Sequence, residues 1–236
     1  MNFITMEQLN RCIYQNIKKI PKDIDLVVGI PRSGSLVANL LALYLNLPYT
    51  AIDSYVEKGT LRTGNTRKCE GWVQRVEQAG KVLVVDDSIS SGRAVKEAKR
   101  LIKKSGMSAE HLYLAVYALE NNIHMVDIYF EICHMPRVFE WNYMHSWVLQ
   151  YCCVDIDGVL CEDPSFFEND DGKRYRKFLL HAQPKLAPTK KIGYIVTARL
   201  ENVLITPQGV GKHLKILAND WRFTSKRVVK KLLKKI

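Results

Sequence analysis

No stretch of this chain is apolar for long enough to cross a bilayer. The longest such run, Leu36 to Leu47, is 12 residues and is interrupted by Asn39, against the roughly 20 that a spanning helix needs. The N-terminal MNFITMEQLNRCIYQ is amphipathic and lacks the apolar centre of a secretory signal. The six cysteines (Cys12, Cys69, Cys133, Cys152, Cys153, Cys161) form no CxxC pair and show no regular spacing. Neither a zinc site nor a disulfide framework is supported, and adjacent Cys152 and Cys153, in an apolar run, read as buried free thiols. No internal repeat or low-complexity segment is present. These absences lead us to expect a soluble protein of a reducing compartment, placed in the cytoplasm.

What is abundant is positive charge. The 236 residues carry a formal net charge of +11, which on its face points to nucleic acid or an anionic membrane. The excess is unevenly spread, however. From Asn202 onward there are nine Lys or Arg against the single acid Asp220, a net +8, which leaves +3 for residues 1–201. In the last segment, NDWRFTSKRVVKKLLKKI, Val228, Val229, Leu232, Leu233 and Ile236 alternate with lysines, the pattern of a solvated amphipathic helix. A weak membrane-surface contact is one use for it. No helix-turn-helix precedes the first domain and the tail has no aromatic stacking pattern, so no clear nucleic-acid role follows.

Along the first 150 residues, strand and helix signals alternate. Met6 to Ile20 has helical spacing and stops at Pro21; Asp25 to Ile30 is a short buried strand; a helix follows from Leu36 to about Leu47. Tyr49 to Ile52, Lys81 to Val85, Leu112 to Leu119 and Val126 to Cys133 read as further strands, with a helix from Ser91 to Ser105 ended by Gly106. Residues 55–71 are polar, basic and rich in Gly and Thr, a long loop. This alternation predicts an α/β fold, a mainly parallel sheet flanked by helices. A second unit opens at Tyr151 with the strand CCVDI, and Ile192 to Val196 is its expected neighbour. The boundary is placed near residue 150, giving domains 1–150 and 151–236.

Two loops of the first domain carry chemistry. In VLVVDDSISSGRA (Val82 to Ala94), a buried strand delivers Asp86 and Asp87 to the edge of the sheet where α/β proteins bind ligands. The following Ser88, Ile89, Ser90, Ser91 and Gly92 put small side chains, hydroxyls and backbone N–H groups at a helix start, a phosphate cradle. The plainer alternative is a capped helix start. The second loop is GIPRSGS, Gly29 to Ser35, again between a strand and a helix. Its spacing is neither GxGxxG nor GxxxxGK(S/T), but Arg32 and its glycines and serines make a second anion site. Gly29 and Asp86 are 57 positions apart. Two anion loops on parallel strands imply a ligand with phosphates at both ends.

VLVVDDSISSGRA resembles the thirteen-residue signature for 5-phosphoribosyl-1-pyrophosphate (PRPP) of type I phosphoribosyltransferases. GIPRSGS is similar to that family's pyrophosphate loop, and residues 55–71 lie where its catalytic loop lies. The resemblance implies the type I phosphoribosyltransferase fold. It also implies that Asp86 and Asp87 bind the ribose hydroxyls, that Ser88, Ile89, Ser90, Ser91, Gly92 and Arg93 hold the 5-phosphate, and that Arg32, Ser33, Gly34 and Ser35 hold pyrophosphate. Mg²⁺, bound through PRPP with Asp86 and Asp87 nearby, is the implied cofactor, and a homodimer is within the family's range. Two residues depart from the pattern. Ser90 stands where purine-specific members typically carry an Asp that serves the base nitrogen, and Ala94 replaces a commoner Thr or Ser.

In the second unit, Asp155 and Asp157 lie two apart between an apolar strand and Gly158. An EF-hand reading fails, because Leu160 and Phe166 stand where it needs Gly and Glu. The stretch resembles motif I of haloacid-dehalogenase-like (HAD) phosphatases, with Asp155 as nucleophile and Asp157 as general acid/base, and Ile195 to Arg199 resembles motif II, with Thr197 on the phosphoryl group. The plainer alternative is a strand-turn with solvated acids. After Glu201 only Asp220 is available to complete a Mg²⁺ site, so the expected fold is a truncated Rossmann-like HAD domain of doubtful phosphatase activity. With PRVFEWN and Glu168 to Leu179, the chain resembles fused proteins of bacterial polysaccharide gene clusters that place ribofuranose on a glycan.

Three functional readings stay open in the sequence. The first is phosphoribosyl transfer to a glycan or lipid-linked glycan hydroxyl. The second is transfer to a nucleobase such as orotate or a purine, a role in nucleotide metabolism. The third is a non-catalytic PRPP-binding regulator. A hydroxyl acceptor wants a general base, for which Glu140, His145 and Asp53 are candidates without a motif. Trp141 and Trp147 are candidates to stack on an acceptor ring, with a core role as the plainer reading.

Overall fold

The computed structural model describes residues 2–64, 66, 68–156, 158–170, 172–185, 188–197 and the strand 222–225. Of Val196, Thr197 and 222–225 it gives the strand placement only. The chain divides into two compact units, Met1–Trp141 and Asn142–Ile236. Residues 142–150, placed by sequence with the first domain, pack with the second.

The first unit is built on five parallel strands. In chain order its elements are β1 (Asn2–Ile4), α1 (Met6–Asn16), β2 (Leu26–Gly29), α2 (Ser33–Leu45), β3 (Tyr49–Ala51), α3 (Ile52–Val56), β4 (Lys81–Ile89), α4 (Arg93–Ser105), β5 (Glu110–Ala118), β6 (Ile128–Ile132) and β7 (Arg137–Phe139). The sheet order is β3-β2-β4-β5-β6, all neighbours parallel. The expected parallel α/β sheet is observed. A two-stranded parallel pair, β1 with β7, sits apart from it.

Alternate residues of each strand feed two separate cores, as a sheet covered on both faces requires. Val27, Leu83, Val85, Leu114 and Val116 pack with α1 and α2 through Leu9, Ile13, Val37 and Leu41. Leu26, Val28, Val82, Val84 and Ala115 pack with α4 through Val95, Ala98 and Ile102, which are spaced to share one helical face. The helix ends are legible locally. Thr5 and Gln8 cap α1 reciprocally, with Gln8 N donating to Thr5 Oγ1 at 3.1 Å and Thr5 N to Gln8 Oε1 at 2.8 Å. Helix α4 stops at Gly106, whose φ of 71° suits a residue without Cβ.

The second unit contains β8 (Cys153–Asp155), α5 (Lys173–His181), β9 (Tyr194–Thr197) and β10 (Arg222–Ser225), with the strands parallel in the order β10-β9-β8. β9 lies beside β8 as the sequence led us to expect, with Asp155 opposite Val196. A small core of Met144, Leu149, Val154, Ile156, Leu160, Ile192 and Ile195 holds this unit. The basic segment after Ser225 lies outside the described residues. Among the described residues, no helix is long and apolar enough to cross a membrane. All six cysteines are free; Cys153 is exposed and Cys152 half-buried, so the expectation that both are buried fails for this pair.

Candidate functional site

The site is set by where strand pairing stops. β2 pairs with β4 as far as Gly29 opposite Val85, whereas β5 continues along β4 until Ala118 opposite Ile89. From Asp86 onward, β4 therefore has a strand on one side only. From β2 the chain runs outward to β3, then crosses back to β4 and continues the other way. The β2/β4 junction is thus the point where the strand order reverses, the place where open α/β sheets bind ligands at the carboxyl ends of their strands. Within GIPRSGS, residues 30–32 link β2 to α2, and Ser90 to Gly92 link β4 to α4.

The first of these loops meets β4. Ile30 N donates to Val85 O at 2.9 Å. A Cβ on Gly34 would stand 2.6 Å from Val85 O and 3.1 Å from Asp86 Oδ1, so the start of α2 rests directly on the first acid, and only a hydrogen fits between them. Arg32 is exposed, Ser33 and Ser35 are half-buried, and at the start of α2 Ser35 N donates to Arg32 O at 3.1 Å. The Pro31–Arg32 peptide bond is cis. The expected pyrophosphate residues Arg32 to Ser35 and the acid pair are brought together.

Asp86 and Asp87 are 7% and 4% exposed. Asp87 N donates to Asp86 Oδ1 at 2.9 Å. Burial, and then the charge of Asp87 beside it, push the Asp86 carboxyl up to about 8. Two buried neighbouring carboxyls share a proton more cheaply than they carry two charges. Residues from the far end of the domain, not legible as partners in the sequence, hold Asp87 and the end of β4. Trp141 Nε1 donates to Asp87 Oδ2 at 2.7 Å. The buried Arg137 donates from Nη2 to Ile89 O at 2.8 Å and from Nη1 to Cys133 O at 3.1 Å. Burial pulls the Arg137 guanidinium downward, while Cys133 and Asp87 oppose the pull.

The turn after β4 is shorter than the sequence led us to expect. β4 runs on through Ile89 because β5 keeps pairing with it. Ser88 and Ile89 therefore belong to the strand. The Ile89 side chain is in the core, and its carbonyl accepts from Arg137 and from Leu119 N. The turn itself is Ser90, Ser91 and Gly92, and α4 starts at Arg93, two residues later than expected. Gly92 has φ 70°, and a Cβ there would run into Met125. Ser90 O accepts from Asn122 Nδ2, Ser91 Oγ accepts from Arg93 N at 3.4 Å, and the first turn of α4 holds no acid. A turn of backbone N–H groups at a helix start without nearby carboxylates favours an anion.

The base candidates separate. Glu140 Oε2 accepts from Met6 N at 2.6 Å, a cap on the start of α1, so its carboxylate is occupied structurally. His145 belongs to the second unit, where Nδ1 lies 2.8 Å from Thr189 Oγ1. Asp53 is exposed in the first turn of α3, at the carboxyl end of β3. Trp147 is exposed and edge-on to Tyr151, with ring centroids 5.9 Å apart.

Of the phosphatase-like residues, Asp155 ends β8 and its Oδ1 accepts from Ile156 N at 2.8 Å. Thr197 is the last residue of β9; its side chain, Asp157 and Arg199 lie outside the described residues. Volume alone would place a ligand in this unit, where a cleft of about 870 Å³ is lined by Asp163, Glu168, Arg174, Lys177, His181 and Lys185, among others. The buried acid pair and the Gly- and Ser-rich loops beside it are in the first unit, and size without convergent groups does not define a site. Among the described residues, no group of three or more His, Cys, Asp or Glu is disposed to hold a metal ion.

Comparison with known proteins gives a concordant result. Residues 4–145 match the sequence model of the phosphoribosyl transferase domain family, well over half of the chain. The chain is similar to an amidophosphoribosyltransferase of Lachancea kluyveri, 27% identical over 136 residues, covering 52% of this chain and 27% of that protein. It is also similar to a hypoxanthine/guanine phosphoribosyltransferase of Methanothermococcus okinawensis, 32% identical over 106 residues, covering 42% of this chain and 57% of that one. Among solved structures, a purine phosphoribosyltransferase from Pyrococcus horikoshii aligns with a TM-score of 0.43 at 20% identity, covering 59% of this chain and 92% of the other. The chain spans about a quarter of the first curated relative and just over half of the second.

Proposed function

Since the chain belongs to the phosphoribosyl transferase domain family, we propose that its first unit binds PRPP and transfers the 5-phosphoribosyl group to an acceptor with release of pyrophosphate. The observation that carries this reading is a Gly- and Ser-rich loop with Arg32 resting on a buried acid pair at the strand-order reversal, with the helix-start turn Ser90 to Gly92 three residues further along the chain. Ser90 to Arg93 take the 5-phosphate through backbone N–H groups, hydroxyls and the end of α4. Arg32 to Ser35 take the pyrophosphate. Asp86 and Asp87, between them, hold the ribose hydroxyls.

In the reaction the acceptor's lone pair forms a bond to the anomeric carbon, the bond to the pyrophosphate oxygen breaks with its electron pair, and the acceptor's proton passes to water. The residues contribute position and charge stabilisation of the leaving group. Two buried carboxyls without a third ligand fit a Mg²⁺ held mainly by substrate oxygens. When bound, it would neutralise pyrophosphate charge, with Asp86 and Asp87 as its nearest protein groups.

For the acceptor, a nucleobase is the better-supported class, because a hypoxanthine/guanine phosphoribosyltransferase is among the curated relatives. A glycan hydroxyl is the second reading. It rests on Ser90, where purine-specific members carry an acid, and on the second unit, whose Asp155 at a strand end fits a phosphatase-like partner that would cleave the transferred phosphate. Incubating the full chain with Mg²⁺-PRPP and a panel of purines, orotate and oligosaccharides, with pyrophosphate as readout, decides between them. Turnover with a base supports the first reading and with a glycan the second. Binding without turnover on any acceptor would replace both with a regulatory role.

A further inference from the structure

Asp87 is held by a residue 54 positions away in the sequence, and the hold is built from several parts. Trp141 is stacked on Phe139, with ring centroids 4.9 Å apart and planes 26° apart. Phe139 in turn lies 5.8 Å from Tyr117, which is 2% exposed on β5. This row of rings fixes the plane of the indole, and with it the direction of its N–H. Two residues before Phe139, Arg137 binds the last carbonyl of β4 at Ile89. The segment after β6 thus grips β4 at its second acid and at its terminal carbonyl.

The consequence for ligand recognition is directional. Asp87 N donates to Oδ1 of Asp86, and the indole donates to Oδ2 of Asp87. A carboxylate with one oxygen pinned has a single orientation in which to present the other. We propose that Trp141 is a positioning residue for ribose recognition, its indole N–H fixing the Asp87 carboxylate so that Oδ1 faces the ligand. This rests on the reading of the acid pair as the ribose site. It assigns Trp141 a donor's role, in place of stacking on an acceptor ring.

Trp141→Phe tests it, since the smaller ring keeps the stack on Phe139 and removes only the donor. A hydrogen bond to a charged group is commonly worth tenfold or more in an equilibrium, so Mg²⁺-PRPP should bind about tenfold more weakly to the variant. The loss should appear in KM for PRPP, with kcat at saturating PRPP nearly unchanged. A spectroscopic readout covers the case in which this variant folds poorly. The chain has four tryptophans, and a variant carrying Trp72→Phe, Trp147→Phe and Trp221→Phe leaves Trp141 as the sole source of an indole ¹⁵N–¹H signal. That signal should lie downfield, as for a hydrogen-bonded indole, and move on addition of Mg²⁺-PRPP. If the wild type binds PRPP while Trp141→Phe binds equally well, or the indole signal is indifferent to saturating PRPP, the proposal is wrong. If the wild type itself does not bind PRPP, the reading of the ribose site has failed, and this inference falls with it for that separate reason.

Discussion

Replacing Asp86 by Asn should make the unliganded protein more stable at alkaline pH while destroying its affinity for PRPP. Asp86 is 7% exposed and lies against Asp87, which is 4% exposed. Its carboxyl is pushed from an ordinary 3.8 up to about 8, by burial first and by the neighbouring charge second. In the unfolded chain it ionises near pH 4. In the folded state it keeps its proton until the pH is several units higher. Between those limits the folded state binds more protons than the unfolded one, so stability falls as pH rises, at up to about 1.4 kcal/mol per pH unit. The loss is complete once pH passes the folded value, and below pH 4 it is absent. Asn keeps an oxygen for Asp87 N and offers an amide donor where the shared proton sat, so it reproduces the protonated pair at every pH. Allowing for relaxation around the charge, the gain at pH 8.5 is of order 2–3 kcal/mol. For a chain of this size that is about 5–10 °C in Tm. Thermal unfolding of wild type and Asp86→Asn, followed by near-UV circular dichroism at pH 4.5 and pH 8.5, reads this directly. The difference in Tm should be small at the lower pH and favour the variant clearly at the higher one. A variant less stable at pH 8.5, or an equal difference at both pH values, would refute the account of the pair as a destabilised binding device.

Other consequences follow from single contacts. Gly34→Ala forces a methyl against the Val85 carbonyl, where 2.6 Å is available; the start of α2 must lift off the acid pair, costing about 1–3 kcal/mol. Calorimetric titration should show PRPP affinity down by about tenfold or more, the equivalent of about 1.4 kcal/mol. Glu140→Ala removes the acceptor for Met6 N at the start of α1 and should lower stability by about 1 kcal/mol. Steady-state assays of the same variant should show kcat unchanged, and a large fall in kcat would restore Glu140 as a base.

Much of the first unit was legible because its signals are local. Val82 to Val85 is a continuous apolar run followed by two acids, which marks a doubly covered strand ending at a ligand edge, and Gly106 marks the end of α4. The length of β4 was not legible. Whether Ser88 and Ile89 are strand or turn is decided by β5, whose pairing continues past the point where β2 leaves. The roles of Trp141, Arg137 and Glu140 were hidden for a related reason. Their partners, Asp87, Ile89 and Met6, are distant in the chain and are brought close only by the fold. A sequence pattern can offer Glu140 as a free carboxylate, but it cannot show that α1 already uses it. The +11 charge was misleading for a simpler reason: most of it lies in residues 202–236, whereas the two candidate loops lie within residues 29–93 of the sequence.

The central claim, that the β2/β4 junction is a PRPP site, is tested most directly by titrating Mg²⁺-PRPP into the full chain in a calorimeter, beside a variant carrying Asp86→Asn and Asp87→Asn. The account predicts saturable one-to-one binding by the wild type and none measurable by the folded double variant. Equal binding by both proteins, or no binding by the folded wild type, would contradict it.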